Sequence, residues 1–83
     1  MSLFELCEYI ENGREIEFDY NNEQYFLAPL YLNDIFMGKY YIYSLKNKKN
    51  IFVGNLNEII TFNFDKNISL KTNIDLFVFK YIL

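Results

Sequence analysis

The sequence predicts an α+β fold: a small antiparallel sheet of three to four strands with an N-terminal helix, a short helix near residues 56–62 and a C-terminal helix. Three observations carry that expectation. Leu3, Leu6, Cys7 and Ile10 recur at helical spacing, residues 15–20 alternate acid with apolar, and the chain's 83 residues suffice for one core but not two. A single domain over residues 1–83 follows, with no repeat, linker or low-complexity segment.

The helix at about residues 3–12 opens on "SLFE". Ser2 can accept from the amide of Glu5 while the Glu5 carboxylate reaches back to the amide of Ser2. Glu5, Glu8 and Asn12 oppose the apolar stripe, and Gly13 supplies the left-handed residue that ends a helix. Next, Ile16, Phe18 and Tyr20 point one way and Glu15, Glu17 and Asp19 the other. Asn21-Asn22 suit a two-residue type I′ turn. That turn sets Phe18 opposite Tyr25, Ile16 opposite Leu27, Glu17 opposite Phe26 and Asp19 opposite Gln24. Pro29, with no amide to donate, is expected to end the ladder.

Residues 30–38, "LYLNDIFMG", read as a connection with apolar anchors and a Gly stop. "KYYIYSL" at 39–45 has strand propensity with aromatic residues on both faces. "KNKKN" at 46–50 is a polar turn, and "IFV" at 51–53 returns as a fourth strand. Asn55 opens "NLNE", a second capping pattern, before the helical face of Leu56, Ile59 and Ile60. In the last stretch, Leu70, Ile74, Phe77, Val78 and Tyr81 match helical spacing with Ser69 as cap, which predicts a helix in 69–83. The composition of Phe77–Leu83 is nonetheless that of a strand, and short apolar runs are ambiguous by pattern alone.

Charge is distributed unevenly. Residues 1–23 hold seven acids against Arg14, a net of −6, and residues 24–83 hold four acids against seven lysines, a net of +3, which together give the formal −3. An acidic half favours basic partners over general nucleic-acid binding, although solvated outer faces need the same residues. The 17 Phe and Tyr residues exceed what one small core requires and suggest an interface. Cys7 is the sole cysteine, which excludes an internal disulfide and fits a reducing compartment. No apolar run approaches the roughly 20 residues that span a bilayer, and "MSLFELCEYI" lacks the basic start of a signal peptide. A cytoplasmic location is expected.

Catalytic signatures are missing. Histidine is absent, removing the commonest general base and metal ligand. Cys7 sits on an apolar stripe without a cationic neighbour to form the thiolate. Gly13, Gly38 and Gly54 fit no phosphate loop, and "NLNE" lacks the acidic series of a calcium loop. Glu15, Glu17 and Asp19 recur about 7 Å apart along a strand, a separation known in glycosidases, but an exposed hairpin offers no cleft between two elements. No catalytic residue, metal or cofactor is expected.

The helix, "ENGREIEFDYNNEQYFLAP", the tyrosine-rich strand and "NLNEIITFNF" together resemble small proteins of low-GC bacteria and their phages or mobile elements. The resemblance implies a protein that binds and blocks host or defence machinery, as anti-CRISPR inhibitors do, and transfers no functional residue. The sequence therefore leads to a non-catalytic protein-binding module acting as a stoichiometric inhibitor of a nucleic-acid-processing or defence protein. Its contact residues are expected to be the acids Glu15, Glu17, Asp19 and Glu23, as one negative line, with Tyr40, Tyr41 and Tyr43. The expected partner is a protein with a basic surface, a homodimer being compatible with the aromatic strand. No membrane and no small-molecule substrate is expected. The alternatives are a single-stranded nucleic-acid-binding protein using Tyr40–Tyr43 with Lys46, Lys48 and Lys49, or a homo-oligomeric structural protein.

Overall fold

The computed structural model describes residues 1–83. Helix α1 (Leu3–Glu11) is followed by strands β1 (Ile16–Tyr20), β2 (Glu23–Leu32), β3 (Ile35–Ser44) and β4 (Lys49–Gly54). Helix α2 (Leu56–Thr61), a single 3-10 turn (Ile74–Leu76) and β5 (Val78–Ile82) complete the chain. The strands form one antiparallel sheet in the order β4-β3-β2-β1-β5. The fold is α+β, with five strands rather than three or four and no C-terminal helix.

Both expected caps form. The Ser2 hydroxyl accepts from the Glu5 amide at 3.1 Å, and the Ser2 amide donates to the Glu5 carboxylate at 3.2 Å. Those bonds to Ser2 hold the Glu5 carboxyl below its ordinary range. Asn55 and Glu58 repeat the exchange at 2.9 Å ahead of α2. Gly13 adopts φ +76°, and the amides of Gly13 and Arg14 donate to the carbonyls of Ile10 and Tyr9, the bond pair of a Schellman stop.

The β1–β2 register is the expected one throughout, with Asn21 and Asn22 at φ 52° and 62° in the turn. The ladder with β1 ends before Pro29, as expected, but the strand β2 does not. Pairing with β1 stops at Leu27, so the missing amide lies past that ladder, while β2 continues along β3 with Pro29 opposite Tyr40. The stretch read as a connection is instead the tip of a second hairpin, turning at Asn33-Asp34 (φ 52° and 65°). Its signal was the same as that of the first turn: two residues that tolerate positive φ between apolar runs. Opposite Leu30, three residues of β3 (Met37, Gly38 and Lys39) bulge out, with Gly38 at φ +72°.

The helices and the segment 62–77 cover one face of the sheet. Leu6 and Ile10 of α1, Ile59 and Ile60 of α2, and Leu70 and Phe77 bury against Ile16, Phe18, Tyr25, Leu27, Tyr40 and Ile42. Part of the aromatic surplus belongs here: Phe18 lies 5.6–5.9 Å, ring to ring, from Tyr25, Phe64, Phe77 and Phe79. The helix expected over 69–83 begins as a turn, the Thr72 amide donating to the Ser69 hydroxyl at 3.2 Å, but does not propagate. Pairing the β-prone end of the chain with β1 satisfies backbone groups that β1 would otherwise present as an edge, and it turns Phe79 and Ile82 toward the core. A helix there would leave both needs unmet.

Tyr25 offers a titration check on this core. Burial first, then a hydrogen bond donated to Glu23 at 3.0 Å and the charges of Glu23 and Tyr20, push its phenol up to about 12 from an ordinary value of 10.0. Because the folded value is raised, the stabilisation is complete below pH 10 and is lost as the pH rises through 12. Absorbance titration should show Tyr25 ionising last of the eight tyrosines, in a step at about 12, with stability declining from pH 10 to 12. Tyr25→Phe should abolish the late step.

Candidate functional site

Because strand side chains alternate between faces, burying Ile16, Phe18, Tyr25, Leu27, Tyr40 and Ile42 sends their neighbours to the opposite face. No helix covers that face. Across it run Asn50, Tyr43, Phe26, Glu17 and Tyr81 in one row, each paired with the next. The next row holds Val53, Tyr41 and Ala28, and Glu15 and Leu83 extend it by exchanging backbone hydrogen bonds at 3.2 and 2.7 Å. Ala28 is the only small residue among these neighbours, and the hollow it leaves opens a groove of about 490 Å³. Phe26, Tyr41, Tyr43, Glu15 and Glu17 stand around it. The Phe26 and Tyr43 rings are 6.2 Å apart and tilted by 50°. Ala28 is 4% exposed yet stands outside the core cluster, as a groove floor should.

The expected site residues divide between the two faces. Tyr41 and Tyr43 flank the groove, but Tyr40 belongs to the core, 7% exposed, and is unavailable as a contact. Burial raises its phenol, as do Glu11 and Tyr31 nearby. Glu15, Glu17 and Asp19 do share the uncovered face. Glu23 does not continue their line: past the turn it shares the parity of Tyr25 and Leu27, on the covered side. There it accepts from Lys46 at 3.1 Å and from the Tyr25 hydroxyl, contacts that hold its carboxyl low. The expected line of four acids is a line of three.

Within that line the charges are unequally committed. Asp19 pairs at 3.0 Å with Lys80, the extra residue of a bulge in β5, which raises the lysine's pKa. Glu17 accepts a hydrogen bond from the Gln24 side chain through one oxygen, leaving its second free, and Glu15 has no side-chain partner. Neither Arg14 nor Lys80 lines the groove. The Arg14 guanidinium sits 5.7 Å from the Tyr9 ring centroid and donates to the Leu83 carbonyl at 2.9 Å. Of the lysines at the 46–49 turn, Lys46 is engaged by Glu23, while Lys48 and Lys49 are exposed.

Five groove residues escaped the sequence as site residues: Ile16, Phe26, Ala28, Asn50 and Leu83. The register placed Phe26 beside Glu17 on the outer face, so its signal was present; Ala28 and Leu83 become informative only when β3 and β5 are in place.

The arm formed by the β2–β3 tip is a separate apolar feature. Tyr31, Phe36 and Met37 are exposed, as are Leu32 at 60% and Ile35 at 65%. Leu32→Ser with Ile35→Ser should leave the thermal midpoint nearly unchanged, each costing within about 0.5 kcal/mol, since neither leaves a core. Differential scanning calorimetry checks this; a large drop would mean the arm packs in solution.

No group of three or more His, Cys, Asp or Glu side chains is placed to hold a metal ion, and no helix is long and apolar enough to cross a membrane. Burial, reinforced by Glu11, raises the Cys7 thiol, so it stays protonated at neutral pH. Set against family models, curated proteins and solved structures, the chain matches none.

Proposed function

We propose that the protein is a non-catalytic binding module whose uncovered sheet face docks on a basic surface of a partner protein. In its sharpest form it is a stoichiometric inhibitor of a nucleic-acid-processing or defence protein, of the kind phages and mobile elements encode. One observation carries this: a sheet face bearing Phe26, Tyr41 and Tyr43 is left without a covering layer and is crossed by Glu15, Glu17 and Asp19. Aromatic rings supply the contact area that anchors interfaces. The carboxylates, about 7 Å apart along the strand, present negative charge at intervals suited to a surface that accepts a phosphate backbone.

Direct nucleic-acid binding is the second reading, supported by Tyr41 and Tyr43 on a sheet face with Lys48 and Lys49 exposed beyond it. The three carboxylates share that face and oppose phosphate, which ranks this reading lower.

Photo-crosslinking in the native host tests the proposal. A benzophenone side chain at position 43 should capture one protein in a 1:1 adduct, and the same group at Lys66 should not. Activity of the captured protein should then titrate to its floor at one equivalent. Turnover by substoichiometric protein, lost on removing one side chain, would replace the proposal with an enzyme.

A further inference from the structure

Resting on the binding reading above, we infer that the groove over Ala28 is a receptor for a cationic side chain, an arginine above all, presented by the partner protein. The electron-rich faces of Phe26, Tyr41 and Tyr43 attract a guanidinium, and such contacts contribute about 0.5–2 kcal/mol depending on desolvation. Beside them, Glu15 and the free oxygen of Glu17 supply acceptors for charge-assisted hydrogen bonds. No cation of this chain lines the groove, and Lys80, which feels the charge of Glu17, is paired with Asp19, so Glu15 and the second oxygen of Glu17 keep acceptor sites for a ligand. The hollow itself exists because residue 28 is alanine, with Tyr41 directly across the β2–β3 ladder and Phe26 two residues away on the same face. A neutral apolar occupant would use the rings but strand the carboxylates against them. An anionic one would meet Glu15 and Glu17 head on.

The probes are N-acetyl-arginine methylamide and its neutral citrulline counterpart, titrated into the ¹⁵N-labelled full chain. Arginine should shift the amides of Phe26, Ala28, Tyr41 and Tyr43 and leave those of α1 and α2 in place. Citrulline should bind at least about tenfold more weakly, since a charged hydrogen bond and a cation–π contact are both lost. Ala28→Leu, which fills the hollow without changing any charge, should abolish the response. Glu15→Gln with Glu17→Gln should weaken it by a similar tenfold margin and keep the hollow intact.

Equal binding of citrulline, or an undiminished response in both variants, overturns the inference. Concentration-dependent broadening of the same amides without any ligand would assign the groove to a second copy instead. If arginine fails to bind while position 43 still crosslinks a partner, the cationic receptor falls and the binding module stands. If arginine binds and nothing crosslinks, the groove is a cation receptor, but the binding module falls and with it the partner protein that would present the arginine.

Discussion

Phe18→Ala is expected to remove about 3–5 kcal/mol of folding free energy, the range for deleting a fully buried aromatic ring. Phe18 has no exposure, and four aromatic rings surround it within 5.9 Å. Those rings come from β2, from the segment between α2 and β5, and from β5 itself, so the cavity left by alanine borders three parts of the chain. A domain of 83 residues has on the order of 4–12 kcal/mol in total. The urea midpoint should therefore fall by roughly half with an unchanged slope. Phe18→Leu, which keeps most of the volume, should recover much of the loss. A midpoint unmoved by the alanine would mean that the aromatic cluster does not form in solution.

The parts of this fold that were legible in the sequence are those whose determinants are local. The Ser2–Glu5 exchange, the Gly13 stop and the Asn21-Asn22 turn each depend on residues within a few positions of one another, and each forms as the pattern requires. The end of the chain was not legible, because two periodicities coexist there and a partner strand decides between them. Leu70, Ile74 and Phe77 satisfy helical spacing and are half-buried or buried, yet Val78–Ile82 is held by β1, a strand about sixty residues earlier. The candidate site divides on the same principle. Glu15, Glu17 and Asp19 share a face by strand alternation alone, and the side taken by Glu23 was equally legible, since the expected register that sets Phe18 opposite Tyr25 already puts Glu23 with Tyr25 and Leu27. Tyr40, by contrast, is buried only once α1 and β2 are assembled around it.

Reversing Glu15 and Glu17 together to lysine is expected to weaken binding to the crosslinked partner by at least about 100-fold. Close charge pairs across an interface couple by about 1.5–7 kcal/mol, and reversal adds repulsion to the lost attraction. Both residues are on the uncovered face, so the cost in thermal stability is confined to the Gln24 hydrogen bond that Glu17 loses and to the charge of nearby Lys80, and no buried apolar contact is removed. Asp19 is left out of the variant because its reversal would set a lysine against Lys80 at the β1–β5 ladder and disturb the sheet itself. Glu23→Gln is the covered-side control: it removes one acid where Lys46 and Tyr25 are its partners, and partner binding should not change. The competing nucleic-acid reading predicts the opposite sign for the double reversal, because two lysines beside Tyr41 and Tyr43 would complete a surface for phosphates and stacked bases. Raising salt weakens both kinds of complex and cannot separate them. Labelled single-stranded DNA or RNA at low salt does separate them: the wild-type face should bind neither, and tight binding by the wild-type protein would overturn the ranking. If partner binding survives the double reversal, Glu15 and Glu17 are a solvated edge and the rings alone make the contact.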